Sequence, residues 1–501
     1  MHFLDLLDGS EYLAQQGDPS IAGLDYDSRR AKQGWCFVAM RGETSDGNQY
    51  IDLALKAGAV AIVSDSLPPR PDVAWAQVPH GRRALARLSA NFYGRPAERL
   101  SITGITGTNG KTTTSFLLNA MLRRGGRKSA LVGTVEYRIE EESFPAPHTT
   151  PEALELNQFF ARAAEAGCTE AVMEVSSHAL EQQRVYGIPF DVAIFTNLTR
   201  DHLDYHHTME EYFASKTILF QGSGVEPPRV AVINGEDEYG QRLMKLCSKQ
   251  TTLITYGIDS GDFHAKNVQI ETGGTRFDLV TPTGEYPIWS PLLGRVNVYN
   301  VIAASAAAYA RGIEARAIAD AAYELRRVAG RFERVDVGQP FTVIVDYAHT
   351  DDALRNLTAV ARDFLAQRGG QGRIITVFGC GGDRDRSKRP LMGEAAGAGS
   401  DFVILTSDNP RSENPIDIMN DALPGLQRSG AKYQLEPDRR KAIVLAIEQA
   451  QPGDIVLIAG KGHEKVQVTA AGTVPFDDIE VAQAALLKAG YGTPQTRTAT
   501  S

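Results

Sequence analysis

Seven consecutive residues carry the clearest chemistry in the chain: Gly107-Thr108-Asn109-Gly110-Lys111-Thr112-Thr113. The apolar run 100–106 precedes them, and within 111–124 Phe116, Leu117, Ala120 and Met121 fall along one helical face. A strand, a glycine-bearing turn and Lys-Thr opening a helix form a cradle for a nucleoside triphosphate. Small residues let backbone N–H groups approach the phosphates, and the helix N-terminus adds a favourable dipole. Lys111 would reach the outer phosphates, and the Thr112 hydroxyl would hold a magnesium ion. The general pattern asks for glycine where Ile105 stands, and Gly104 is one place too early. A tight turn with an exposed lysine is the plain alternative, but the strand before and the helix after weigh against it.

Further polar groups stand where apolar runs end, the places at which α/β sheets bind ligands. The run ending at Glu174 continues Val175-Ser176-Ser177-His178, and the next leads through Asn197 and Asp201 to His202. Glu174 and His202 at the edge bearing the phosphate loop would hold a second divalent cation. Helix capping by Ser176 and Asp201 is the simpler use of such residues; two strand ends converging on one phosphate loop favour function. His202 and His206 have the spacing of a zinc pair, but Leu203 stands where the glutamate of a HExxH site belongs. Magnesium is therefore the expected ion. Lys216 lies on an amphipathic stretch and reads from its surroundings as a solvated surface charge.

Four more polar strand ends follow: 345–350, 379–386, 407–411 and 460–464. Arginines at such a crevice suit carboxylates, which a guanidinium grips with two parallel hydrogen bonds. Asp408 and Glu464 would hold an ammonium group, so the mixture of signs suggests a zwitterionic, amino-acid-like ligand. Taken alone, Gly382-Asp383-Arg384-Asp385-Arg386 is a solvated turn with weak local ion pairs. Four such loops at one sheet edge shift the balance toward a site.

Elements that position these groups can be read from the pattern. At 501 residues the chain needs two to four domains. Its 43% hydrophobic and 23% charged content are those of a soluble globular protein, and a net charge of −9 argues against general nucleic-acid binding. Met1-His2-Phe3-Leu4-Asp5 lacks the features of a secretory signal, and the apolar run 301–310 is too short to span a bilayer. Cys36, Cys168, Cys247 and Cys380 are widely separated, as suits reduced thiols in a cytoplasm. Strands are expected at 101–106, 129–133, 171–175, 192–196, 230–233 and 253–256, with helices at 111–124, 151–166, 208–220 and 237–248. A turn-rich stretch at 262–289 suggests an antiparallel patch. A second series places strands at 342–347, 374–378, 402–406 and 455–459. The blocks are 1–98, 99–329 and 330–492, with a small, polar and disordered tail at 493–501.

In combination these residues resemble the ATP-dependent Mur ligases of peptidoglycan synthesis, over nearly the whole chain and in that family's order. The resemblance rests on Asp27-Ser28-Arg29, 107–113, His148-Thr149-Thr150-Pro151, 174–178, 197–204, Lys216, 297–300, Gly330-Arg331, 346–349 and Asp408-Asn409-Pro410-Arg411. It implies an α/β protein of three domains. A smaller N-terminal α/β domain binds the UDP-sugar, a central P-loop ATPase domain has a parallel sheet with helices on both faces, and a Rossmann-like C-terminal domain binds the amino acid. ATP is the implied co-substrate and magnesium the cofactor, on Thr112, Glu174, His202 and a carbamylated Lys216. Lys111 joins Glu174, His202 and Lys216 as catalytic, while Gly107, Thr108, Asn109, Gly110, Thr113, Asn300, Arg331 and Asp346 bind the nucleotide. Ser28, Thr149, Thr150, Ser176, Gln182 and Arg184 take the UDP-MurNAc-dipeptide. Arg384, Asp408, Asn409, Pro410, Arg411, Gly460 and Glu464 take the amino acid. The tetrapeptide 408–411 matches the version associated with meso-diaminopimelate, whose extra carboxylate Arg411 would pair. A cytoplasmic monomer acting without nucleic acid or membrane is expected. Asp351 stands where relatives commonly have proline, and Val296 where they have phenylalanine. Folylpolyglutamate synthetase shares the phosphate loop but leaves the N-terminal block and 408–411 unexplained. A silent nucleotide-sugar sensor or a plain NTP hydrolase would not need ATP turnover that depends on both acceptor and amino acid.

Overall fold

Buried apolar runs alternate with amphipathic helices, and in this computed structural model they assemble around three α/β sheets. Residues 1–42, 45–66, 73–271 and 273–492 are described; the expected tail at 493–501 lies outside the described residues. The N-terminal sheet runs, in spatial order, Ala14–Gln16, Ala74–Gln77, Ala61–Ser64, Trp35–Ala39 and Gly23–Asp25. Only the first pair is antiparallel.

The central sheet has eight strands, ordered Thr252–Tyr256, Val230–Asn234, Phe190–Phe195, Ser101–Thr106, Glu170–Glu174, Ser129–Val132, Glu136–Ile139 and Glu142–Pro145. The first six run parallel and are the six expected from the sequence, within two residues at each end. The inner five are buried on both faces, which is why they read as unbroken apolar runs, while the edge strand Thr252–Tyr256 is half-exposed. The antiparallel hairpin 136–145 was not foreseen, because its outer strand is largely exposed and carries no such run. The expected helix at 237–248 stops at Met244; nothing in 245–248 is buried to hold a further turn. The turn-rich stretch forms a separate antiparallel sheet of His264–Glu271, Gly274–Thr281 and Gly284–Ser290. After it, the helix Arg295–Ala310 is apolar on nearly every side and threads the core, which explains the alanine-rich run.

In the C-terminal sheet the order is Glu333–Val335, Thr342–Asp346, Ile455–Ala459, Ile374–Cys380, Phe402–Ser407 and Lys432–Leu435. The inner four match the expected strands; the short first strand and the exposed last one were missed. Carboxyl ends of the central and C-terminal sheets face each other across a cleft, so residues following the strands of both can meet there. No described helix is long and apolar enough to cross a membrane.

Candidate active site

Backbone geometry at the phosphate loop explains its glycines. Gly107 has φ +146°, and a Cβ there would lie 1.9 Å from the Thr196 hydroxyl; Gly110 has φ +87°. Ile105, where the general pattern wants glycine, is a fully buried strand residue, so the loop turns only from Gly107. Lys111 opens the helix Lys111–Arg124 and folds back, donating to the carbonyls of Gly107 at 2.9 Å and Thr108 at 2.8 Å. Burial pushes its ammonium below the ordinary lysine range.

Thr112 donates to Glu174 Oε2 at 3.0 Å, and Thr134 holds both Glu174 oxygens through its N–H at 2.8 Å and its hydroxyl at 2.9 Å. From the C-terminal unit Arg331 donates to the Thr112 hydroxyl at 3.1 Å while its guanidinium stacks 4.6 Å over Tyr347. Asp346 accepts from the N–H of Phe332 at 2.6 Å and of Ala348 at 2.8 Å, and burial raises its carboxyl. Asn300 takes the Thr114 hydroxyl at 3.4 Å and donates to Asn297 at 3.0 Å. Residues 108–113, Glu174, His202, Asn300, Arg331 and Asp346 thus line one cleft of about 1230 Å³ including its open mouth.

Lys216 is not a solvated surface charge. It is 1% exposed beneath the loop, donating to Gly107 O at 2.9 Å with its ammonium 4.6 Å from the Tyr212 ring. Burial and the nearby Lys111 charge drive its ammonium well below the ordinary range. For a magnesium ion, the paired oxygens of Thr112 and Glu174 are a suitable hard donor set. His202 instead lies 3.3 Å from Asp201, and burial pushes its imidazole down to about 3. Among the described residues no three His, Cys, Asp or Glu side chains are grouped to hold a metal. His202 and His206 pack around His178, at 4.8 and 5.5 Å, as an aromatic cluster rather than a zinc pair.

At the far end of the cleft stand Thr149 and Ser176. Thr149 shares a hydrogen bond with Thr134 at 3.0 Å, and Thr150 donates to Glu174 O at 2.8 Å while accepting from Ser176 N at 3.1 Å. Arg184 ties this lip together, donating to Thr150 O at 3.0 Å and Gln182 Oε1 at 2.7 Å. Ser176 also caps the helix Ser177–Glu181, as the capping reading expects. Ser28 is not brought to the cleft; it sits on the N-terminal unit between Asp27 and Arg29, whose side chains pair at 2.7 Å.

The remaining candidates meet beside the C-terminal sheet. Asn409 donates to Glu464 at 2.8 Å, and Asp408 lies 3.8 Å from the buried Arg439. A Cβ on Gly460, whose φ is +120°, would come within 2.4 Å of Asp408 Oδ2. Arg411 donates to Gly382 O at 2.7 Å, and a Cβ on Gly381 would meet both Arg411 at 3.1 Å and Arg384 at 3.6 Å. Gly382 in turn packs on the Pro410 carbonyl. Burial and the Arg384 charge push the Arg411 guanidinium down.

Several contacts around the cleft escaped the sequence reading. Thr134 follows a strand end and was open to the same argument as Glu174. Asp201 bridges Lys388 at 3.4 Å and His349 at 3.8 Å, and Asn109 donates to Asp352 at 2.7 Å, joining the central and C-terminal units. Although burial opposes it, the charges of His202, Lys388 and His349 hold the Asp201 carboxyl below its usual range. Lys461 is fully buried beside Asn409 and Glu464.

Known proteins share the sequence and fold that build this cleft. The chain matches the Mur ligase family catalytic domain over 20–93, the Mur ligase middle domain over 105–308 and the Mur ligase glutamate ligase domain over 330–462. It is 52% identical over 480 residues, 95% of each chain, to a protein of Solibacter usitatus named UDP-N-acetylmuramoyl-L-alanyl-D-glutamate–2,6-diaminopimelate ligase. A protein of the same name from Geobacillus thermodenitrificans is 46% identical over 475 residues, 94% of this chain and 96% of the relative. A solved structure of a ligase of that name superposes with a TM-score of 0.68 at 35% identity, covering 98% of this chain and 99% of the other. With three domains of one family matched in order and half its residues shared with a full-length relative, the chain belongs to the Mur ligase family.

Proposed function

We propose that this ATP-dependent ligase joins the side-chain carboxylate of D-glutamate in UDP-MurNAc-L-Ala-D-Glu to an amine of meso-diaminopimelate. One observation carries the reading: Lys111, Thr112, Glu174 and Arg331 surround a cleft that Thr149 and Ser176 continue on the same wall. The relatives' names supply the substrates, and the facing pair Arg384 and Arg411 suits the second carboxylate of diaminopimelate. We assign 1–98 to the UDP-sugar, 99–329 to ATP and 330–492 to the amino acid, acting as a cytoplasmic monomer.

A carboxylate is a poor electrophile at neutral pH. Its oxygen therefore attacks the γ-phosphorus first, releasing ADP and forming an acyl phosphate. The amine then attacks the acyl carbon, and phosphate leaves with one carboxylate oxygen as the amine loses a proton. Positioning and charge neutralisation dominate such transfers. Lys111 and Arg331 supply fixed positive charge at the outer phosphates, and the loop N–H groups orient them. Magnesium, when bound, neutralises further phosphate charge; Thr112 and Glu174 would hold it, with His202 and a carbamylated Lys216 as further ligands. The environment of Lys216 favours the neutral amine, the form that adds carbon dioxide, and the resulting carbamate would supply an anion to a bound magnesium ion.

The test is phosphate release with ATP, magnesium and UDP-MurNAc-L-Ala-D-Glu, comparing meso-diaminopimelate with L-lysine. Release with a new tripeptide only for meso-diaminopimelate is expected. Preference for lysine would overturn the specificity, and release without either amino acid would overturn the ligase reading.

A further inference from the structure

Lys461 is 0% exposed, in a loop whose neighbours are the residues proposed to take the amino acid. A fully buried ammonium is costly unless each donor finds an acceptor. Here the ammonium donates to Asn409 Oδ1 at 2.9 Å and to Glu464 Oε2 at 3.0 Å. Asn409 Oδ1 also accepts from Val468 N at 3.0 Å. Two donors on that oxygen fix which way the amide faces, so its Nδ2 must point at Glu464, which it reaches at 2.8 Å. Both bonds to Glu464 land on Oε2, and Oε1 takes none among the described residues. Glu464 is left partly exposed, with one carboxylate oxygen free and the other clamped.

We infer that Lys461 is a positioning residue for the amino-acid substrate, setting the Asn409 amide and the Glu464 carboxylate so that Glu464 Oε1 accepts the substrate's ammonium group. The inference rests on the reading of Asn409 and Glu464 as part of the amino-acid site. Lys461 itself touches no substrate. Its effect is to pre-set a pair of side chains that would otherwise rotate, which lowers the ordering cost of binding. Arg384 and Arg411 hold the opposite charge preference across the same crevice, so a displaced Glu464 also loses the distance between the ammonium and carboxylate ends of the ligand.

The experiment compares Lys461→Met, Lys461→Gln and Glu464→Gln in the full chain, measuring KM for meso-diaminopimelate, ATP and the UDP-MurNAc-dipeptide together with melting temperature. Losing a charge-assisted bond at this site should raise the amino-acid KM by at least ~10-fold in Lys461→Met, with KM for ATP and the dipeptide unchanged. Lys461→Gln keeps a donor to Asn409 and should fall between wild type and Lys461→Met; it carries the test should Lys461→Met not fold. An amino-acid KM unchanged in both lysine variants but raised in Glu464→Gln would overturn the role of Lys461 and leave the site standing. A parallel rise of all three KM values would reduce Lys461 to a structural residue and overturn the inference as well. No change in any variant would instead remove the amino-acid site from this crevice.

Discussion

Gly107's carbonyl oxygen receives two ammonium groups, Lys111 and Lys216, each at 2.9 Å. Burial disfavours two charged ammonium groups on one peptide oxygen and pushes both lysines toward the neutral amine. Outer phosphates would offer Lys111 stronger acceptors than its own loop carbonyls. Lys111→Met should therefore lower kcat by at least ~100-fold, the scale seen when a charge-stabilising donor is removed from a preorganised site. The melting temperature should hold, since a buried cation and its repulsion with Lys216 are removed together. Phosphate-release kinetics and thermal melting measure the two effects separately; a large drop in melting temperature would make Lys111 structural.

Element ends explain the two departures from the family pattern. Asp351 is the first residue of the helix Asp351–Gln367, where proline is favoured because its N–H needs no partner. Aspartate does the same work differently, placing a negative charge at the helix N-terminus and pairing with Arg355 at 2.5 Å. Thr350 caps the helix with φ −125° and ψ 160°, the extended geometry a following proline requires. Asp351→Pro should thus be neutral, its conformational gain offsetting an ion pair between the buried Asp351 and the half-exposed Arg355 to within ~1 kcal/mol. A melting shift beyond ~5 °C would show that the aspartate is doing something the cap geometry does not explain. Val296 occupies the first turn of Arg295–Ala310, one turn before Asn300, and lines the nucleotide cleft, where a smaller side chain leaves more room than phenylalanine.

Across the whole molecule the cleft exists only because the central and C-terminal units are held together. Arg331 reaches Thr112, Asn109 reaches Asp352, Arg200 donates to Ser387 at 2.6 Å, and Asp201 pairs with Lys388. The Asn109 bond runs from the phosphate loop itself to the first turn of a C-terminal helix, so closure and nucleotide binding share a contact. Asp352→Ala should raise the KM for ATP by ~10-fold, the loss of one charge-assisted hydrogen bond, and enlarge the radius of gyration seen by small-angle scattering. An unchanged KM with an unchanged radius would show that the other three bridges suffice for closure.

Ten parallel strands and the phosphate-loop helix were legible in the sequence because their causes are local. A strand covered on both faces must be apolar throughout, and a loop with φ near +87° at Gly110 must use glycine. The hairpin at 136–145 and the outer C-terminal strands were not legible, since half-exposed edge strands carry no such run. Lys216 looks like a surface charge in the sequence and Lys461 shows only as part of a polar strand end; packing by distant segments buries both. Asp352, Lys388 and His349 likewise gain their partners from the apposition of two domains, a relation between residues more than a hundred positions apart. The sequence by itself determined which groups of atoms could bind phosphate, carboxylate and ammonium. Tertiary structure decided which of them share one cleft, because burial and charge environment are properties of what packs around a side chain rather than of the chain beside it.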